Sequence, residues 1–164
     1  MILYNGRIYE SKMQDELILK LEEDLPKVLS SSNFPFDELL NACDTISKRA
    51  LEGKYDEIAI PLLEFVHVPY EKYVDYLKMF SKEGLLNKIR IELNGLNVGY
   101  RKVDDKLTQI VSPLGVLFHI SAGNVDFLPT YTVIEGLLVG NVNILKLPSG
   151  DNGLSIKILK EIIG

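Results

Sequence analysis

The chain contains 164 residues, of which 46% are hydrophobic, and this size suits one ordinary domain or a part of a larger protein. Its net charge of −5 gives no electrostatic support to nucleic-acid binding, which needs a surplus of Lys and Arg. The N-terminus meets charge too early for a signal peptide, and no run of about 18 apolar residues predicts a membrane span.

The single cysteine, Cys43, excludes an internal disulfide and favours a reducing compartment, so we expect a cytoplasmic protein. Cys43 falls in a predicted helix whose apolar positions include Leu39, Leu40, Ile46 and Ala50. A small buried core residue is therefore the simplest interpretation, and a reactive thiol is the alternative.

Residues 1–88 are expected to form a helical N-terminal region. Apolar residues recur with the helical period of 3.6 in four stretches, at 15–29, 37–52, 55–65 and 69–82. Pro26 predicts a kink or an end within the first stretch, and Pro61 predicts that the third is divided into two shorter pieces.

The apolar pattern then changes to the alternation of strands. Ile89–Leu93 alternates apolar and polar residues, which predicts a strand, and Asn94-Gly95 follows as a hairpin turn. Residues 96–103 and 107–111 predict a second strand–turn–strand. We therefore expect an antiparallel section over residues 89–112.

Residues 113–164 carry the pattern of a β-α-β-α unit. The predicted elements are a strand at 115–121, a helix at 130–139, a strand at 142–147 and a helix to Ile163 capped by Asp151 or Asn152. The first strand is almost continuously apolar, which is typical of a strand buried on both faces. The overall prediction is an α/β fold that ends in the start of a doubly wound, Rossmann-like parallel sheet.

Asn124 lies in the turn after the first predicted strand, and Lys146 to Ser149 lie at the end of the second. Ligands of parallel sheets bind at the carboxyl ends of the strands, where both segments should lie. The chain has no GxGxxG phosphate motif, because Gly136-x-x-x-Gly140 falls within and after a helix rather than before one. The pattern alone leaves two interpretations open, a dinucleotide site and a doubly wound sheet with a polar turn.

The blocks PLGVLFHISAGN and GNVNILKLPS resemble the opening strands of the aldehyde dehydrogenase superfamily. The forms HISAGNVDF and EGLLVGNVNILKLPSGD are similar to its acyl-CoA reductase branch of the LuxC type, best known from bacterial bioluminescence. The commoner branch has PWNFP in the turn, where this chain has Ala122-Gly123 before Asn124 and Val125-Asp126 after it. The resemblance covers residues 100–164 well and the helical first hundred residues only in general character.

This resemblance implies roles for particular residues. Asn124 occupies the oxyanion-hole position, where an amide N–H donates to the oxygen that becomes negative when a thiol adds to an acyl carbon. Lys146 corresponds to the lysine that reaches the adenosine ribose of the cofactor. Their structural alternatives are a turn asparagine and a solvated lysine at a strand end. The cofactor is expected to lie along Ile120, Ser121 and Ala122.

The cofactor preference implied by the resemblance depends on Ser149. Enzymes of this superfamily that prefer NAD usually have a glutamate there, which holds the ribose 2′-hydroxyl. A serine leaves room for a 2′-phosphate and removes a repulsive charge, so NADP(H) is expected. No metal site is predicted.

The implied activity is NADPH-dependent reduction of an acyl-CoA or acyl-protein thioester to a fatty aldehyde through a cysteine acyl-enzyme. The family's nucleophile lies far downstream, so Cys43 cannot replace it. We therefore expect this chain to be the N-terminal part of a longer reductase, inactive alone, whose parent forms a homo-oligomer or binds acyl-transfer proteins. Two alternatives stay open, an oxidative NAD(P)-dependent aldehyde dehydrogenase and a non-catalytic nucleotide-binding or interaction module.

Overall fold

The structure is a computed structural model that describes residues 1–31, 35–65, 67–93, 99–123, 127–151 and 153–163. The helices are α1 (Gln14–Leu29), α2 (Phe36–Leu51), α3 (Asp56–Phe65), α4 (Tyr70–Phe80), α5 (Lys82–Glu92), α6 (Leu128–Leu138) and α7 (Leu154–Ile163). The strands are β1 (Ile2–Tyr4), β2 (Arg7–Tyr9), β3 (Gly99–Lys102), β4 (Thr108–Val111), β5 (Val116–Ile120) and β6 (Val142–Lys146). Over these described ranges, no helix has both the length and the apolar character needed to cross a membrane.

The chain is a mixed α/β protein that divides into two compact units. One comprises Met1–Pro35, Gly115–Leu137 and Asn141–Gly164, and the other comprises Phe36–Leu114 and Leu138–Gly140. In the described residues the strands form three pairs: β1 with β2 and β3 with β4 are antiparallel, and β5 with β6 is parallel.

The first unit begins with a hairpin that the sequence analysis did not predict. Its turn is Asn5-Gly6, and both residues have positive φ, 45° and 72°, as a tight hairpin turn of this composition requires. The hydroxyl of Tyr4 in β1 donates to Asp24 Oδ2 of α1 at 2.8 Å. The pKa of Tyr4 is raised to about 12, with burial as the largest cause and this hydrogen bond as the second. The hairpin is therefore attached to α1 by a charged hydrogen bond.

The second unit is built on the packing of α2, α4 and α5. Their buried residues include Leu40, Cys43 and Ala50 of α2, Tyr73, Leu77 and Phe80 of α4, and Leu85 and Ile89 of α5. The hydroxyl of Ser47 is buried and donates to the Leu77 carbonyl at 2.6 Å, which satisfies a polar group inside this core. The helices predicted at 37–52 and 69–82 are confirmed with small shifts of their ends.

The strand predicted at Ile89–Leu93 is wrong, because these residues continue and end α5. The side chain of Ser81 accepts from the Gly84 backbone N–H at 3.1 Å and caps the start of this helix. Leu85 and Ile89, four residues apart, are both buried on one helix face. The turn predicted at Asn94-Gly95 lies outside the described residues.

The predicted division of the third helix is also wrong, because α3 runs without interruption from Asp56 to Phe65 through Pro61. Proline removes the hydrogen bond to the carbonyl four residues earlier, here that of Glu57. Glu57 is exposed, so water can replace the missing donor. The hairpin predicted from residues 96–103 and 107–111 is confirmed in shorter form as β3 and β4.

Candidate functional site

The candidate site lies at the carboxyl ends of β5 and β6, which the structure confirms as neighbouring parallel strands. Their register runs from Val116 opposite Val142 to Ile120 opposite Lys146. Beyond the last pair, the backbone N–H of Ser121 donates to the Lys146 carbonyl at 3.2 Å. Helix α6 connects the two strands, as a parallel pair requires. Among the described residues the parallel sheet has two strands, so the doubly wound arrangement stays a prediction.

The segments that leave these strands remain close together. A Cβ added at Gly123 would lie 3.2 Å from Pro148 Cβ, which is tighter than an ordinary van der Waals contact. The structure therefore places Ile120, Ser121 and Ala122 at the same sheet edge as Lys146. The predicted catalytic residue, Asn124, follows Gly123 in sequence but lies outside the described residues.

The polar groups at this edge are suited to an anionic ligand. Lys146 is exposed, and its ammonium group has neither an ion pair nor a hydrogen bond within the described ranges. Ser149 is exposed and begins a short 3₁₀ turn, Ser149–Asp151. Asp151 accepts from the Ser155 backbone N–H at 3.2 Å, which confirms it as a cap of α7. The unpaired ammonium group of Lys146 and the exposed hydroxyl of Ser149 thus belong to the segment that lies next to residues 121–123.

The expectation that the first strand is buried on both faces is wrong for the described chain. Val116, Phe118 and Ile120 are 37%, 63% and 71% exposed. Their neighbours Leu117 and His119 point to the opposite face, which lies against α6. The apolar run fits a strand with cover on both faces, but in the part of the chain that is described the face that carries Phe118 and Ile120 is exposed.

The start of α6 has two features that sequence reasoning missed. Phe127 is buried and has a φ of 58°, a left-handed conformation that is unusual for a bulky side chain. The side-chain oxygen of Thr130, one turn later, is fully buried and has no hydrogen-bond partner among the described residues. Strained backbone and unpaired buried polar groups are concentrated at functional sites, but no sequence pattern reports either one.

The only cysteine of the chain lacks the properties of a nucleophile. Cys43 is 1% exposed, and burial raises the pKa of its thiol to about 12. The thiolate is the reactive form, so at neutral pH the group is both inaccessible and protonated. The structure agrees with Cys43 as a buried core residue.

These features define an α/β protein whose free polar groups gather at the carboxyl edge of a parallel strand pair. The family model described as acyl-CoA reductase (LuxC) matches residues 32–164, which is more than half of the chain. The chain therefore belongs to the LuxC acyl-CoA reductase family, an oxidoreductase family whose substrate is an acyl thioester. Comparisons with curated proteins and with solved structures gave no match.

Proposed function

We propose that this chain forms the N-terminal part of an NADPH-dependent reductase that converts a fatty acyl thioester to an aldehyde through a cysteine acyl-enzyme. The observation that carries the proposal is the pairing of Ile120 with Lys146 at the carboxyl ends of two parallel strands. This pairing brings residues 121–123, which lead into the turn proposed for acyl transfer, next to the segment proposed for cofactor binding. The family match supports the thioester substrate.

In this proposal Asn124 is the catalytic residue. It follows Gly123, whose close approach to Pro148 fixes the course of the chain just before it. When a thiolate adds to the acyl carbon, the carbonyl oxygen becomes negative, and the side-chain amide of Asn124 donates to it. A preorganised donor of this kind contributes on the order of 3 kcal/mol to the transition state.

The cofactor is proposed to lie along Ile120, Ser121 and Ala122, with Lys146 and Ser149 at its adenosine end. These residues suit an anionic dinucleotide, because Lys146 is an exposed cation that forms no ion pair with any described residue. Position 149 carries the exposed hydroxyl of a serine instead of a glutamate carboxylate, which would repel a 2′-phosphate, and this favours NADP(H). When bound, the nicotinamide supplies the reducing equivalents, and the residues of this chain hold the cofactor in place.

The nucleophile in this proposal comes from a part of the enzyme other than this chain. Cys43 is excluded because its thiol is buried and its pKa is raised to about 12. The exposed residues Phe118 and Ile120 would be covered in the complete enzyme, by its other segments or by a second copy. We also propose that the parent enzyme is a homo-oligomer or receives its acyl group from partner proteins.

The proposal is tested with the complete reductase and an acyl-CoA labelled in its acyl group. Without NADPH, we expect the label to become attached to a cysteine other than Cys43. The Cys43→Ala variant should therefore become labelled to the same extent. Addition of NADPH should then release the label as aldehyde. Label on Cys43 would contradict the mechanism. Release of the CoA thiol without any label attached to the protein would also contradict it. Oxidation of free aldehyde without any reaction of acyl-CoA would favour an ordinary aldehyde dehydrogenase.

A further inference from the structure

A hydrogen-bonded cluster connects β5, α6 and β6 inside the first unit. His119 Nε2 of β5 lies 2.8 Å from Asn143 Oδ1 of β6, and Asn143 Nδ2 donates to the Asn141 carbonyl at 2.9 Å. Gly136 of α6 lies directly against the side chain of Asn143. This cluster is separate from the exposed edge proposed to hold the cofactor, because it lies on the face of the sheet that α6 covers.

The hydrogen bonds determine which ring nitrogen of His119 carries a proton. Asn143 uses its amide nitrogen to donate to the Asn141 carbonyl, so its oxygen is the atom that faces His119. An amide oxygen only accepts, and His119 Nε2 must therefore be the donor. In the strand register Asn143 is opposite Leu117, so the bond to His119 runs diagonally across the two strands.

Gly136 is required for the close approach of α6 to this amide. A Cβ at position 136 would overlap Asn143 Oδ1 and would lie 3.1 Å from Nδ2. The contact is with the amide close to the backbone of β6, so the clash cannot be relieved by moving the end of a long side chain. Any larger residue must displace either α6 or the Asn143 amide.

Asn141 fixes the other end of the same arrangement. It is 5% exposed, and its Oδ1 accepts from the Gly115 backbone N–H at 3.1 Å, just before β5. Its side-chain and backbone N–H groups both donate to the Gly136 carbonyl, at 3.3 and 3.0 Å. Strand β5 is thus held at its start by Asn141 and near its end by Asn143, and both asparagines contact the same turn of α6.

We propose that His119 and Asn143 are positioning residues for the segment between β5 and α6. The cluster fixes β5, which precedes this segment in sequence, relative to α6, which follows it. The inference rests on the proposed role of this segment in acyl transfer. Displacement of a reacting group by about 1 Å can lower a rate by roughly a hundredfold, so such support influences the chemical step directly.

The test is a double-mutant cycle in the complete reductase, with Gly136→Ala, Asn143→Ala and the double variant. The readout is thiol release from acyl-CoA without NADPH, separated into maximal rate and KM. Each single variant should lower the maximal rate by on the order of tenfold with KM unchanged. The double variant should be no slower than either single variant, because each of the three variants disrupts the same contact between Gly136 and the Asn143 amide. Losses that multiply in the double variant would overturn the proposal.

Two substitutions of His119 provide a second, independent readout. In His119→Gln the amide nitrogen reaches the position of Nε2 and can donate to Asn143, so most of the rate should be retained. His119→Leu has similar bulk but no donor, and it should show the loss seen in Asn143→Ala. Equal rates for the Gln and Leu variants would contradict a role for this hydrogen bond.

Leu17→Ala is the matched control for a loss of stability alone. Leu17 is a buried residue of α1 in the same unit, and it is not part of the cluster. At a temperature where circular dichroism shows every variant folded, Leu17→Ala should keep the normal maximal rate. If it loses rate to the same extent as the cluster variants, the cluster is only structural.

Asn124→Ala tests the proposed function separately. If this variant transfers the acyl group at the normal rate while the Gly136 and Asn143 variants still lose rate non-additively, Asn124 has no oxyanion role, but the positioning role of the cluster remains.

Discussion

Ile120 lies opposite Lys146 at the last position of the parallel register, and the next residue, Ser121, continues the pairing through a 3.2 Å hydrogen bond to the Lys146 carbonyl. The two strands therefore end at the same level. The chain that follows β5 and the chain that follows β6 leave the sheet side by side. This relationship lets one bound molecule contact both segments, and it is the geometric basis of the proposed site.

Replacement of Lys146 should affect the cofactor and not acyl transfer. Hydrogen bonds to a charged group contribute about 1.5–3 kcal/mol, so Lys146→Ala should weaken NADPH binding by roughly ten- to a hundredfold. Fluorescence titration measures this, and thiol release from acyl-CoA should stay normal. Lys157→Ala, at an exposed position of α7, is the control for overall charge. An equal loss of affinity in both variants would remove the specific role of Lys146.

The residue at position 149 should control the choice between NADPH and NADH. Ser149→Glu places a carboxylate where the 2′-phosphate is proposed to lie, so kcat/KM for NADPH should fall and that for NADH should rise. Ser149→Gln has nearly the same size without the charge, and it should cause a much smaller change. If the Glu variant keeps the NADPH preference of the unaltered enzyme, the adenosine end of the cofactor does not lie beside Ser149.

The thiol of Cys43 should be unreactive in the folded protein. Burial raises its pKa from 9.0 to about 12. Between these two pH values the thiol is protonated in the folded protein but ionised in the unfolded chain. This contribution to stability is present below pH 9.0 and is lost as the pH rises toward 12. A chromogenic disulfide reagent should react slowly at pH 8 and rapidly after unfolding in urea. Rapid labelling of the native protein would contradict the buried position.

The exposed face of β5 should promote association of the 164-residue chain. Phe118 and Ile120 are 63% and 71% exposed on one strand, and such an apolar strand tends to contact another molecule. Light scattering should show mass that increases with concentration, and Phe118→Ser should reduce it. Phe65→Ser is a matched control, because Phe65 is 67% exposed on α3. A stable monomer at high concentration, or equal effects of both substitutions, would contradict this assignment.

The sequence predicted the longer helices because each repeats the helical period over many residues, and it predicted the parallel pair because two apolar runs flank one helix. The prediction was wrong or missing for isolated stretches of three to five residues. Five alternating residues at Ile89–Leu93 predicted a strand, although Ser81 caps a helix whose buried residues Leu85 and Ile89 have helical spacing. The first hairpin was missed although Asn5-Gly6 is a strong turn signal, because its strands have only three residues each.

Part of the candidate site was also accessible from the sequence. The pattern of strands predicted that Asn124 and Lys146 would lie near one sheet edge. The structure confirms that β5 and β6 end together at Ile120 and Lys146, and Asn124 lies outside the described residues. The cluster of His119, Asn143 and Gly136 was not predicted, since it depends on how closely α6 approaches the sheet. That distance is a property of tertiary packing, and a residue pattern along one chain does not specify it.

The most direct test of the account is the rate of acyl transfer by Asn124→Ala in the complete reductase. Thiol release from acyl-CoA is measured in a single turnover without NADPH, and cofactor binding is measured separately by fluorescence. Loss of one oxyanion donor should lower the transfer rate by roughly 10²–10³-fold and leave NADPH affinity unchanged. A transfer rate equal to that of the unaltered enzyme would contradict the account, because Asn124 would then be only a residue of the turn.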